Sequence, residues 1–210
     1  MAERTVEDRL REEYFALLPD IRRVAEELET KVRHCLLPIS SRLDRYEQLA
    51  ITSRIKECDS ALDALRRRQE FATFDRDQPE RYTLSSLKDL AGVRVSVFPR
   101  RRWNETDQEL HKQFSSWEPD LVRDESGELL AFKYYGYCNV SDKVRGEFQV
   151  VPMLTALFWE VEHTAIYKPS PILKGVARSL EMQQRTTEVL KALQAFEEEF
   201  ESLVQHDRAG

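Results

Sequence analysis

Two carboxylates stand in the sequence where chemistry, rather than packing, would account for them. Asp89 lies in the run SLKDLAGVRVSVF, Ser86 to Phe98. It comes just ahead of Val93 to Phe98, whose alternating apolar and polar, mostly β-branched residues predict a strand with one face on a core. Gly92 permits a tight approach there, and Arg94 points the opposite way from Val93 and Val95. Glu147 and Gln149 share one face of a second predicted strand, GEFQVVP, with Phe148 and Val150 on the other. Taken alone, Asp89 reads as the cap of a short helix or turn. Taken with Glu147 at the same edge of a sheet, it makes a pair that could hold one divalent metal ion. The strand that follows Asp89 is expected to be central in its sheet.

The elements that must position this pair can be read around it. From Val6 to Val32 apolar residues recur with a helical period interrupted near Pro19, which predicts two helices or one kinked helix. A further helix is predicted from about Ser41 to Glu70 with a break near Thr52-Ser53; it carries Arg54, Lys56 and Ser60 and, by itself, reads as ordinary amphipathic helix. Phe71 to Thr83 is a charged loop punctuated by Pro79 and placed to cover a site. Arg100, Arg101 and Arg102 beside Trp103 form a basic cluster that suits phosphate or a stacked base, but reads first as a solvated turn; a helix from Asn104 to Trp117 follows. DLVRD, a turn at Ser126-Gly127, ELLAFKYY and GYCNVSDK predict a hairpin and a further strand. Pro152 opens a helix that runs through Glu162-His163 to Lys168. After the Pro169/Pro171 linker, a last helix spans about Leu173 to Gln205 with near-heptad apolar spacing.

The 210 residues are 41% hydrophobic and 33% charged, which suits one globular core, residues 41–168, with a helical segment 1–40 before it and a helix in 169–210 after it. A net charge of -6 argues against a uniformly basic nucleic-acid coat. Cys35, Cys58 and Cys138 form no C-x-x-C pair, so neither a disulfide framework nor a zinc site is indicated. No apolar run reaches bilayer length and the amino end lacks an apolar signal core. A soluble protein of the cytoplasm, with no membrane partner, is the expectation.

Several of these stretches, taken together, resemble the synthetase domain of the RelA/SpoT family, the enzymes that make the alarmones ppGpp and pppGpp. Asp89-Leu90-Ala91-Gly92-Val93-Arg94 matches the family's D-L-A-G-I/V-R throughout. Glu147 and Gln149 match E-x-Q-x-R-T, with Val151 and Pro152 in place of Arg and Thr, and Glu162-His163 and Tyr167-Lys168 close the following helix as the family does. Arg54, Lys56 and Ser60 match R-x-K-x-x-x-S; Ala64 stands where a further Lys falls. In K-x-N-G-Y-x-S-x-H, Lys133, Gly136 and Tyr137 match, while Tyr135, Asn139 and Ser141 replace Asn, Ser and His. The similarity runs from about Arg54 to Lys168. It lacks the His-Asp pair of the alarmone hydrolase domain.

The resemblance implies an α/β (α+β) fold, a mixed central sheet flanked by helices, and transfer of the β,γ-pyrophosphate of ATP to the ribose 3′-hydroxyl of GTP or GDP. It implies that Asp89 and Glu147 are catalytic and bind Mg²⁺, that Arg54, Lys56 and Ser60 bind the donor ATP, and that Lys133, Tyr137 and Gln149 bind the guanine nucleotide. Oligomers through the terminal helices are also implied. Two other readings compete: pyrophosphate transfer to the 3′ end of tRNA, and an inert binding module. The retained carboxylate pair weighs against the last, and the acidic charge gives tRNA no support.

Overall fold

The computed structural model describes residues 5–68, 79–124, 126–162 and 179–209. Thr5 starts the first helix, α1 (Val6–Cys35), with a capping box in which its hydroxyl accepts from the Asp8 amide and the Asp8 carboxylate accepts from the Thr5 amide. Of the two forms the sequence allowed, a single helix results, with Pro19 inside it. A stripe of Leu10, Tyr14, Ile21, Val24, Leu28 and Val32 is buried on both sides of the proline, and this burial offsets the roughly 3 kcal/mol that an interior proline costs.

After the short α2 (Leu37–Ser40), the structure overturns the helix expected over 41–70. Gln48–Ile55 is a strand, β1, paired antiparallel with β2 (Ala91–Phe98) so that Ile51 faces Val95 and Arg54 faces Gly92. β-Branched Ile51 and Thr52 suit that ladder, and pairing with β2 decides over a local periodicity that a helix would also have satisfied. Helix resumes only at α3 (Cys58–Arg68), which buries Ala61, Leu62, Ala64 and Leu65.

Besides short 3-10 helices at Pro79–Arg81 and Leu84–Ser86, the remaining described elements are α4 (Arg101–Gln113), β3 (Glu118–Arg123), β4 (Leu129–Tyr137), β5 (Arg145–Pro152), α5 (Met153–Glu162) and α6 (Leu180–Ala209). The β3–β4 turn forms because the Asp124 carboxylate accepts from the Ser126 and Glu128 amides while Gly127 adopts φ 87°. GYCNVSDK is not a separate strand: β4 runs on through Tyr137, and a turn follows in which the Ser141 amide donates to the Cys138 carbonyl.

The strand order is β1-β2-β5-β4-β3, with β2 and β5 parallel and every other pair antiparallel. The centre therefore belongs to β5, and the strand after Asp89 is its neighbour. One face of the sheet packs on α1 and α4 through Val93, Val95, Phe148, Tyr134 and Trp117. Gly136 and Gly146, directly opposite on β4 and β5, leave a slot that the Trp117 indole fills; a Cβ at Gly136 would overlap the ring.

α6 docks on this chain's own core. Phe200 meets Phe98 and Tyr46 at centroid distances of 5.2 and 5.7 Å, and Glu201 accepts from the Arg101 amide. His163, Tyr167, Lys168, the proline linker and most of the loop expected over 71–83 lie outside the described residues. No described helix is long and apolar enough to cross a membrane.

Ahead of β1, the Glu47 side chain is buried and paired with both Arg101 and Arg102 at the start of α4. Burial alone would raise this carboxyl, but hydrogen bonds from Arg102 and Arg101 outweigh it and bring it down to about 2. A carboxyl depressed by folding stabilises above its unfolded value and loses that contribution as pH falls toward its folded one. Glu47→Gln should therefore lower stability at neutral pH by on the order of 2–3 kcal/mol. The gap to the parent protein should narrow between pH ~5 and ~2, measured by thermal unfolding. A gap that does not change with pH would overturn this role.

Candidate active site

Strand register assembles the site. Arg54 of β1 stands opposite Gly92 of β2, Gly92 beside Glu147 of β5, Glu147 opposite Tyr135 of β4, and Tyr135 opposite Glu118 of β3. Two residues along, a second row runs Thr52, Arg94, Gln149, Lys133 and Asp120. Directly paired residues share a face of a sheet, so both rows lie on the side away from Val93, Phe148 and Tyr134.

Arg54, sited on a strand and not on the expected helix, crosses Gly92 to reach Glu147. Its Cγ and Nε lie 3.6 and 3.5 Å from where a Cβ of residue 92 would sit, and its guanidinium is 3.5 Å from Glu147 Oε1. A Cβ at 92 would sit in ordinary van der Waals contact with Arg54, so alanine fits there and only a longer side chain would enter the space that Arg54 crosses. Glu147 is only 3% exposed and also accepts from Gln149 Nε2. Gln149 in turn accepts from Arg94 Nε at 3.4 Å, and Arg94 pairs with Glu160 of α5 at 3.6 Å. Burial pulls the Arg94 guanidinium below its usual value and neighbouring Arg54 adds to that, against Glu160 and Glu147.

Lys56, just past β1, forms an ion pair with Asp89, just before β2. The Asp89 hydrogen bond thus goes to Lys56 rather than to a helix or turn amide, and its Oδ1 is buried with no hydrogen-bond partner among the described residues. Burial lowers the Lys56 ammonium; Asp89 most, and Glu147 more weakly, oppose it, so this one cation feels both carboxylates. Ser60 sits in the first turn of α3, about one turn beyond Lys56. Ala64 faces the core from the same helix, and Arg66 is held by Glu7 and Asp63 at 2.6 and 2.8 Å.

On the β4 side, Lys133 lies beside Gln149 and makes no ion pair among the described residues. The Tyr135 hydroxyl donates to Asp120 at 3.2 Å; burial raises this phenol far above its ordinary value, with Glu147 and Asp120 adding to the rise. Tyr137 is 54% exposed, with the Arg145 guanidinium 5.7 Å from its ring centre. Glu118 collects Arg145 and Lys88 at 2.8 and 2.6 Å, and Lys88 lies over the Tyr135 ring. Sequence reasoning singled out neither Glu160 nor the Glu118 group, because their places depend on strand order. Tyr135 it did single out, as the residue in place of the motif's Asn and, by its two-residue spacing, on one face with Tyr137.

The arginine cluster is not a solvated turn: its side chains are mostly buried and paired with carboxylates of the same fold. Arg100 pairs with Glu128, Arg101 with Glu47, and Arg102 with Glu47 and Glu105. Among the described residues no three His, Cys, Asp or Glu side chains gather as a metal site. What the face offers chemically is two carboxylates and several cations, which suits a polyanionic ligand.

The fold is that of the small alarmone synthetases. Small alarmone synthetase 1 from Bacillus subtilis superposes with a TM-score of 0.66 at 18% identity, covering 93% of this chain and 99% of that one. The same protein bound to AMPCPP gives 0.60 at 20% identity, with 92% and 98% covered; bound to its product pppGpp it gives 0.60 at 18%, with 92% and 99% covered. A GTP pyrophosphokinase family protein from Streptococcus pneumoniae gives 0.61 at 20% identity over 94% of this chain and 97% of its own. No family model and no curated protein matches the sequence.

The Lys56–Asp89 pair is largely withdrawn from water, so cutting it on one side should cost more than removing both partners. Lys56→Met, which leaves Asp89 unpaired, should destabilise by about 1–3 kcal/mol, with Asp89→Leu added recovering most of it. Denaturant unfolding of the two singles and the double reads the coupling. Additive losses would show that the two side chains do not act as a pair.

Proposed function

We propose that the chain transfers the β,γ-pyrophosphate of ATP to the ribose 3′-hydroxyl of GTP or GDP, making pppGpp or ppGpp. The observation that carries this reading is Glu147, buried at the middle of the sheet and in line with Arg54 on one side and Tyr135 on the other. That alignment supplies a base between a cationic flank and an aromatic one. The bound AMPCPP and pppGpp of the Bacillus subtilis protein, whose fold this chain shares, support it.

In this reading Arg54 and Lys56 hold the donor phosphates, with Ser60 adding a hydroxyl from α3. Lys133, Gln149 and Tyr137 hold the acceptor. The 3′-oxygen forms a bond to the β-phosphorus of ATP as its proton passes to Glu147; the bond from that phosphorus to the α,β-bridging oxygen breaks and AMP leaves. Asp89 and Glu147 would hold Mg²⁺. The unpaired, buried Asp89 Oδ1 fits that role, and two carboxylates suffice because Mg²⁺ takes its remaining ligands from phosphates and water. Bound there, the ion would neutralise phosphate charge. Pairing of the three arginines with Glu47, Glu105 and Glu128 removes the basic strip that a tRNA acceptor would have used, which favours the free nucleotide.

The test is incubation of γ-labelled ATP and Mg²⁺ with GTP, GDP, ATP or deacylated tRNA. Label should pass to GTP or GDP, and Asp89→Asn and Glu147→Gln should each lower the rate at least roughly 100-fold while unfolding remains cooperative. Full activity in both amides, or label passing only to tRNA, would overturn the proposal.

A further inference from the structure

At the end of β4 the chain turns back to β5 through Cys138 to Val144, and this turn is anchored to α1 by the Val140 amide, which donates to Glu27 at 3.2 Å. Between the turn and α1 lies a cavity of about 410 Å³ lined by Glu13, Leu17, Ser85, Tyr137, Asp142 and Lys143. That volume falls in the range of small-molecule sites. The lining side chains differ in their commitments. Glu13 is already engaged, accepting from the Thr83 hydroxyl and the Leu84 amide. The Asp142 carboxylate and the Lys143 ammonium have no hydrogen-bond or ion-pair partner among the described residues, and both are exposed.

Tyr137 joins this cavity to the site. It stands two residues beyond Tyr135 on the same face of β4, and Tyr135 adjoins Glu147. A nucleoside whose ribose lies by Glu147 therefore has its base within reach of the Tyr137 ring. Arg145 covers one side of that ring, and the ring also borders the cavity. Tyr135, Asn139 and Ser141 stand in place of the Asn, Ser and His of the motif that the chain otherwise resembles, so the polar contacts around the base differ here from that motif's.

We infer that Asp142 and Lys143 select guanine over adenine at the acceptor site, the carboxylate accepting from guanine N1–H and N2–H₂ and the ammonium donating to O6. Adenine offers the opposite pattern at two of these positions: an acceptor at N1 and a donor at C6. It would set its N1 lone pair against the carboxylate and its amine against the ammonium. The inference rests on the pyrophosphate-transfer reading for the role of Tyr137, but base selection can be measured without turnover.

The experiment is calorimetric binding of GDP, IDP and ADP to the full chain and to Asp142→Ala, Asp142→Asn and Lys143→Ala, with pyrophosphate transfer to GTP and ATP assayed in parallel. IDP lacks only the 2-amino group. The parent protein should bind GDP more tightly than IDP and IDP more tightly than ADP. Asp142→Ala should weaken GDP roughly 10–100-fold and erase its advantage over IDP. Asp142→Asn, which can also donate, should narrow the gap to ADP, and Lys143→Ala should weaken GDP and IDP alike. Because both side chains are exposed and unpartnered, unchanged melting temperatures verify that the variants fold. An unchanged GDP-to-IDP ratio in Asp142→Ala would overturn the inference and leave the transfer reading standing. Guanine-selective binding without transfer to any nucleotide would overturn that reading and leave the base selection supported.

Discussion

Removing the Glu147 carboxylate from water is the constraint on which the rest of the face depends. An unpaired charge in the middle strand of a sheet would be expelled or neutralised, so its neighbours must supply compensation from fixed positions. Gln149 donates from two residues along the same strand, and Arg54 reaches across from the edge strand. On β2 the residue between them is Gly92, whose lack of a side chain leaves that path open. The parallel pairing of β2 with β5 brings the Asp89 turn to the same end of the sheet. There Lys56 meets one carboxylate directly and feels the other.

Two groups of arginines in this chain look alike in sequence and differ in physics. Arg101 and Arg102 pair with a Glu47 side chain that has no exposure at all, so their charges are spent within the fold. Arg54 keeps half of its side chain exposed and meets Glu147 through a single 3.5 Å contact. A guanidinium held that loosely remains free to take a phosphate, whereas withdrawing Arg101 or Arg102 would strand a buried carboxylate. The burial of the partner separates a structural cation from an available one.

Strand periodicity around Asp89 and Glu147 was legible because alternation is a local property, and so was the shared face of Glu147 and Gln149. The stretch from Gln48 to Ile55 was not. Its apolar residues satisfy a helical spacing, and only the vacant edge of β2 makes it a strand. Strand order was equally hidden: nothing local says that β5 enters between β2 and β4, so the alignment of Arg54, Glu147 and Tyr135 could not be read in advance. The arginine cluster misled for the same reason, since its partner Glu47 is more than fifty residues away in the chain. At Pro19 the sequence left two forms open, and the depth of burial along α1 decided between them.

The slot made by Gly136 and Gly146 has an optical consequence. Trp117 enters it from the core and presses against the backbone whose opposite side carries Tyr135, Tyr137 and Glu147. The indole is thus a built-in reporter, placed beneath the surface where a nucleotide would settle yet shielded from direct contact with it. With Trp103 and Trp159 replaced by Phe, its emission would follow movement of β4 against β5 without any attached dye. A spectrum that stayed constant while calorimetry recorded nucleotide binding would mean that the sheet is rigid enough to receive the ligand without transmitting anything to its underside.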